Sequence, residues 1–546
     1  MSINEMKSAI FQKVSFETWK SIAVSTLKGK PFEKLITPTF EGIDLQPLYT
    51  AEHLQKTMNF SMVVSNAKQQ TRWLLAQRTY GNSAREFLHK AKEQLKLGNE
   101  MIVYVGSSTS FTWSEDELQE LAALLKEHPF YFTTANSNDE ITRVFSLFSM
   151  QELEGLYGYF VGTSPSIGRT VVSTSELHHA GGSAVHELTY ALIELSKIAN
   201  SQADFTSKVA VKFSVDTNFF MEIAKLRAFR VLWKAFSKAY DAPPVPIVIL
   251  AENSLRSYSK LDSNVNLLRA GNAAFSAVLG GADIITVHPH DVLTGSTAIS
   301  ERIARNVQLV IREETMVNKI MDPAAGSYYV ESLTAELIEQ AWTLFLTVLE
   351  LNPDEQTNYI LTLAKEVQVK REQELANRKA SLIGTNIYAN PVDEVSETIN
   401  GSNIERLAQP YEQLRKHFTD NPLKTAVVSF GILKDVKPRA DFIKGFLQAG
   451  GLNPKLSPVF TTAVDAWHWV KTNKIEYVVF AAKDEVVNDV FPDFLRQADH
   501  KTIIDVAGKF QDENVWKELG LNGTIYAGQN LVEKMEHLIE IQKKGK

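Results

Sequence analysis

Between about residue 70 and residue 345, short apolar runs alternate with helical patterns, and this alternation leaves the chain few architectures. The runs are MIVYVG (101–106), FYFTT (130–134), YFVGT (159–163), TVVST (170–174), VAVKFSV (209–215), PIVILA (246–251) and DIITVH (283–288). All are rich in β-branched or aromatic residues, the composition that suits a pleated, packed surface. Helical stretches such as FFMEIAKLRAFRVLWKAF and AISERIARNVQLVIREE lie between them. Runs that are apolar on both faces belong in a parallel sheet buried on both sides. NKIMDP (318–323) is a candidate eighth run, and a (β/α)8 TIM barrel is the expected architecture.

A chain of 546 residues is too long for one compact core, so a second domain is expected. TAVVSF (425–430), YVVFAA (477–482), TIIDVA (502–507) and GTIYAG (523–528) alternate with helices such as ADFIKGFLQAGG and LVEKMEHLIEIQ. This is the rhythm of a flavodoxin-like doubly wound α/β domain. Ahead of the barrel, Trp19 and Leu27 mark a helix that Gly29 ends. PFEKLITPTFEGIDLQPLYT then reads as an extended wrap, because its prolines disfavour helix. It could wrap this chain or a partner. The charged stretch EVQVKREQELANRKA (366–380) is expected as a solvated helix, and 382–403 as a linker or domain-edge wrap. The domains expected are an arm over 1–70, a barrel over 71–365, a linker over 366–421 and the second α/β domain over 422–546.

The net charge of −7 gives no basic footprint for nucleic acid or an anionic membrane, and no apolar run spans a bilayer. The absence of cysteine removes disulfides, thiolate metal sites and a cysteine nucleophile. The mixed-charge N-terminus lacks the apolar core of a secretory signal, and a cytoplasmic location is expected.

Longer stretches carry more. GIDLQPLYT (42–50), HAGGSAVHELTYAL (179–192), TNFFMEIAKLRAFRVLW (217–233), SERIARNVQLVIREE (300–314), DPAAGSYYVESLT (322–334) and RLAQPYEQLR (406–415) occur in this order. Together they resemble the methylmalonyl-CoA mutase family. The resemblance implies a substrate barrel followed by a cobalamin-binding domain. It also implies the interconversion of methylmalonyl-CoA and succinyl-CoA by an adenosylcobalamin radical mechanism, in which the cofactor supplies the radical and the protein supplies binding and orientation.

Against that pattern, the residues that do chemistry in active members are replaced. Active members carry Asp-x-His-x-x-Gly after the first strand of the cobalamin domain, where the His ligates cobalt and the Asp orients it. In SFGILKDVKPRADFIKGFLQAGG these positions read Lys434, Val436 and Arg439, and no His lies in 418–467. A later Ser landmark falls at Ala481 and Ala482, and a Gly-Gly at Ala507 and Gly508. In the barrel, the tyrosine of Arg-Gln-Tyr-Ala-Gly-Phe-Ser aligns with Arg78 of TRWLLAQRTYGNS, with Tyr80 as a shifted alternative. Nothing in SMVVSNAKQQ (61–70) resembles the family's Thr-Met-Tyr stretch. In TSELHHAGGSA the Tyr and His of Gly-Tyr-His-Met-Gln-Glu-Ala-Gly become Ser175 and Glu176. An ionised carboxylate only accepts hydrogen bonds and would repel the thioester oxygen that the histidine assists. His288, in TVHPHD beside His290, is read as a relic at a strand end.

Other readings of single residues are weaker. His178, His179 and His186 lack the spacing of a known metal motif. His417 and His468 read as ordinary surface or core histidines. Glu222, Lys225, Arg227 and Arg230 read as a buried or interface ion network.

Some members of the family work as pairs of one active and one inactive chain. The resemblance therefore implies a non-catalytic small subunit. It would have no catalytic, cofactor-binding or metal-binding residues of its own, with adenosylcobalamin on a large catalytic partner subunit in a heterodimer. Two alternatives stay open: a divergent acyl-CoA mutase active in its own right, and a homodimeric regulator or acyl-CoA-binding protein.

Overall fold

The structure, a computed structural model, describes residues 14–56, 60–106, 111–134, 139–161, 168–243, 245–395, 404–499 and 501–544, together with Ile3 and Lys7. Most of the amphipathic N-terminus and the stretch 396–403 of the expected linker lie outside the described residues.

Eight parallel strands close into a barrel. They are β1 Leu74–Arg78, β2 Met101–Val105, β3 Phe130–Thr133, β4 Gly158–Val161, β5 Arg169–Ser173, β6 Val209–Val215, β7 Val248–Asn253 and β8 Ile284–Thr286. Closure comes from β8 pairing with β1, Ile284 opposite Leu74. The seven expected runs all form strands, but the eighth is misplaced. NKIMDP is not a strand: Val317–Lys319 is a single 3-10 turn entered through Met316 at φ +61°. The missing strand is β1, whose apolar core is only Leu-Leu-Ala before Gln77 and Arg78. Its brevity and polar end hid it, and each later strand moves up by one.

Alternation along the strands divides the two faces. Ala76, Met101, Val103, Tyr131, Tyr159, Val171, Ala210, Leu250 and Ile284 fill the lumen. The opposite faces pack against the surrounding helices.

The N-terminal helix α1 (Phe16–Thr26) buries no residue and is followed by Gly29 in the left-handed region at φ +84°. The proline-rich stretch after it wraps its own barrel. Thr37 pairs with Leu45, Ile43 enters the barrel core, and a Glu41 carboxylate oxygen accepts from the Ala184 amide at 3.3 Å. Next come α2 (Phe60–Asn66), the short α3 (Ser175–His179) after β5, α4 (Ala184–Ser201), α5 (Phe219–Ala239), α6 (Ala298–Glu313) and α7 (Tyr328–Leu349).

Helix α8 (Pro353–Ala376) runs unbroken through the expected boundary at 365/366. It is not simply solvated, as its charge suggested. Ile360 and Ala364 join the barrel core, Leu375 packs with Leu382 and Leu407, and Arg371 donates to the Gly181 carbonyl, while most of the other charges are exposed. The described part of the expected linker is likewise packed. Asn386 is fully buried and its amide donates to the carbonyls of Leu375 and Ala380. Arg406 makes two hydrogen bonds to Glu412, at 2.6 and 2.7 Å, and a third to the Tyr258 carbonyl.

The second domain has five strands rather than four, all parallel. They are β9 Thr425–Phe430, β10 Lys455–Phe460, β11 Tyr477–Ala481, β12 Ile503–Ala507 and β13 Gly523–Ile525, in the order β10-β9-β11-β12-β13. That is the flavodoxin-like order. The unexpected β10 (KLSPVF) is a partly exposed edge strand, the position where a proline is tolerated. Helices α9 (Leu433–Ala449) and α10 (Leu531–Lys544) cover one face. No helix among the described residues is long and apolar enough to cross a membrane.

Candidate functional site

The lumen parity that sets the barrel core also sets its C-terminal end. One step beyond Ala76, Ala210 and Leu250 on the same face stand Arg78, Lys212 and Glu252. With His288, Ser175, Glu176 and Ser214 they line a cavity of about 820 Å³ at the strand ends. The structure thus brings Arg78, Ser175, Glu176 and His288, four positions singled out in the sequence, into one chamber. This is the end of a (β/α)8 barrel where functional groups gather.

The centre of the chamber is a polar chain that the sequence reading missed. Lys212 Nζ lies 2.8 Å from Glu252 Oε2, and Glu252 Oε1 lies 3.1 Å from His288 Nε2. On its other side, His288 Nδ1 is 3.4 Å from the Tyr80 hydroxyl. The His288 amide donates to Asn253 Oδ1 at 2.6 Å, which fixes the loop after β8. Burial opposes the charge of Lys212, but Glu252 and the Tyr131 phenol together outweigh it and raise the lysine pKa. Burial likewise opposes the Glu252 charge, and Lys212 and His288 together hold that carboxyl well below the usual range. Burial raises the Tyr80 phenol, so it stays protonated. A signal was available: Lys212 is the one charge in VAVKFSV, and counting by twos from Ala210 puts it in the lumen.

Arg78 meets this chain at the Tyr80 ring. Its guanidinium lies over that ring at 5.1 Å, and no carboxylate among the described residues pairs with it. Its neighbours Trp73 and Gln77 face outward. Trp73 Nε1 donates to Gln308 at 3.2 Å and Gln77 bonds the Glu301 carbonyl and Arg305, all on α6. Ser175 Oγ accepts from both Ser173 and Ser214, at 3.2 and 3.3 Å, leaving its own proton free for the chamber. Glu176 is exposed at the mouth.

The three neighbouring histidines do not converge. His178 is fully buried, with Nδ1 2.9 Å from Glu187 and Nε2 2.8 Å from Ser254. Burial, then the Arg256 charge, lowers its pKa, so the ring is neutral; Nδ1–H donates to the carboxylate and Nε2 accepts from the serine. His179 faces the chamber, with its pKa pushed down to about 4 by burial and then Arg256, and its Nε2 has no hydrogen-bond partner. His186 packs at the start of α4. Among the described residues no group of three potential ligands could hold a metal ion. His290 lies outside the chamber lining; His417 contacts Gln542 and His468 is exposed.

The charges of α5 form buried networks that build the barrel wall. Lys225 Nζ lies 2.6 Å from Glu222, 2.9 Å from Glu187 and 2.6 Å from the Ser214 carbonyl. Arg227 joins Asp322 and Glu331, and Arg230 reaches Asp283 at 2.9 Å.

In the second domain, the positions aligned with the family's cobalt-ligand motif lie in the first turns of α9. Helix begins three residues after β9 ends, with Gly431 at φ +106° making the turn. Val436 is 1% exposed and packs into the core between α9, α10 and the sheet. Lys434 is exposed. The Arg439 guanidinium donates to the Ala482 carbonyl and to Asp484 at 2.8 Å, and Lys483 pairs with Asp435 at 2.8 Å. An aliphatic side chain turned into the core, flanked by engaged ion pairs, does not fit a cobalt ligand set.

A family model described as methylmalonyl-CoA mutase matches residues 142–427, a little over half of the chain. Over 560 residues the chain is 28% identical to the methylmalonyl-CoA mutase small subunit of Porphyromonas gingivalis, covering 88% of this chain and 90% of that relative. It is 27% identical over 329 residues to the large subunit of the same organism, covering 57% of this chain and 46% of that one. A probable small subunit of Mycobacterium tuberculosis is 31% identical over 271 residues, covering 46% of this chain and 43% of its own length. The matched span takes in β4 to β8 and the helices that carry the ordered motifs, and on that ground the chain belongs to the methylmalonyl-CoA mutase family.

Proposed function

We propose that this chain is the non-catalytic small subunit of a heterodimeric methylmalonyl-CoA mutase. Its large partner would carry adenosylcobalamin and interconvert methylmalonyl-CoA and succinyl-CoA by the radical mechanism. The observation that carries the reading is Val436: a buried aliphatic group stands where active members present an imidazole to cobalt. Glu176 adds to it, because a carboxylate at the mouth cannot donate to a thioester oxygen. The retained motifs support a structural role, since Lys225, Arg227 and Arg230 bind other parts of the barrel wall and Glu222 pairs with Lys225. Similarity to small subunits, one of them along nearly its whole length, agrees with this.

The Lys212–Glu252–His288 chain favours a second reading, a mutase active alone. One experiment separates them: co-expression with a large-subunit homologue, co-purification, and a cobalamin count. One corrin per pair supports the proposal. Two per pair, or a corrin on the isolated chain, overturns it.

A further inference from the structure

The barrel chamber is open enough to hold a molecule, and its charges are sorted by depth. Inside stand Arg78, with no carboxylate partner among the described residues, and Lys212, already paired with Glu252. At the rim, Glu176, Glu372 and Glu405 are exposed, with Lys365 as the one rim cation among the lining residues. The remaining wall is mostly apolar: Val105, Leu255, Val369 and Ile404 line it.

We propose that this chamber binds a short or medium-chain monocarboxylate, with the carboxylate on Arg78 and the aliphatic tail among Val105, Leu255, Val369 and Ile404. A guanidinium presents a fork of donors that matches a carboxylate in two parallel hydrogen bonds. The free proton of Ser175 supplies a further donor in the same chamber. In the interior, Arg78 is the one cation without a carboxylate partner among the described residues, which calls for one carboxylate; a second placed there would meet Lys212 already neutralised and Glu252 beside it. The acidic rim selects against a coenzyme A ester, whose phosphates would have to lie against Glu176, Glu372 and Glu405. The proposal concerns this chain's own barrel and does not rest on the subunit assignment.

The test is calorimetric titration of the full chain with butanoate and hexanoate, with glutarate and acetyl-CoA run in parallel. One saturable site for hexanoate is expected, tighter than for butanoate, glutarate or acetyl-CoA. Arg78→Gln should weaken hexanoate by at least about tenfold while leaving the unliganded melting temperature unchanged. Should that variant fold poorly, the wild-type chain still decides through hydrogen exchange: hexanoate should slow exchange at the C-terminal ends of β1 and β6. Absence of saturable hexanoate binding at millimolar concentration would overturn the proposal. So would unchanged affinity in a folded Arg78→Gln variant, acetyl-CoA binding tighter than hexanoate, or no added protection of β1 and β6.

Discussion

Arg227 Nη2 donates to Glu331 Oε1 at 2.6 Å, tying together two buried side chains that lie 104 residues apart. The arginine comes from the FFMEIAKLRAFR stretch and the glutamate from DPAAGSYYVE. Asp322, at the start of the second stretch, takes the other guanidinium nitrogen, and Ser61 of α2 donates to the same Glu331 oxygen. Two stretches that the sequence presents as separate family marks are halves of one ion cluster. Their retention here is explained by what they hold together.

Arg227→Met should therefore destabilise the chain by about 3–5 kcal/mol, because it strands two carboxylates away from water. Adding Asp322→Asn and Glu331→Gln should recover part of that loss. Urea unfolding of the single and triple variants checks it; a triple variant less stable than the single would show that the carboxylates contribute without the arginine.

Gly181 sits at φ +107°, and a Cβ there would lie 2.4 Å from both the Ala364 carbonyl oxygen and Gln368 Cβ on α8. Arg371 of α8 in turn donates to the Gly181 carbonyl. Gly181→Ala should cost roughly 2–4 kcal/mol, from backbone strain plus displacement of α8. Faster proteolysis within 353–376 together with a lowered melting temperature is the expected pair of results.

Stability should fall on acidification from about pH 6.5 to about pH 4. Burial, with Arg256 and Arg371 respectively, pushes His179 and His186 down to about 4, and His178 is lowered as well. In the unfolded chain these rings take up protons near pH 6.5. Across that window the unfolded state binds protons that the folded state refuses, so acid favours unfolding. Glu222 works the other way. Burial, against the pull of Lys225, pushes it up to about 7, so its contribution is present at low pH and lost as pH rises through 7. His186→Gln should flatten the acid slope by on the order of 1–2 kcal/mol, and Glu222→Gln should steepen it. Denaturant titrations at a series of pH values read both signs.

Val436→His should not create a cobalamin site. The side chain enters the packed core of the second domain, so the imidazole would be buried rather than offered to a corrin. The expected result is a loss of stability of about 1–3 kcal/mol from an unsatisfied polar group, with no change in the spectrum of added hydroxocobalamin. A shifted cobalamin spectrum would show that α9 can unwind at its start.

Much of the architecture was legible because it follows from local pattern. Short runs apolar on both faces, set between helical stretches, imply a parallel sheet, and seven of the barrel strands stand where those runs are. β1 and β10 escaped for opposite reasons. The apolar part of β1 is only Leu-Leu-Ala, and the strand ends in polar residues that face α6 and the lumen. β10 is an edge strand that can afford a proline and exposed residues. The fate of α8 was hidden because its charges dominate the sequence, although a buried stripe on its other side fixes where it packs.

The alternation of strands and helices, the absence of an imidazole at Val436 and the carboxylate at Glu176 can all be read without coordinates. These are matters of residue type and spacing. It takes the folded barrel to place Arg78, Ser175, Glu176 and His288 in one chamber, to pair Lys212 with Glu252 inside it, and to bring Arg227 to Glu331. Such contacts arise when a closed barrel brings distant strand ends together, and no local pattern records which side chains meet there or which charge is left without a partner.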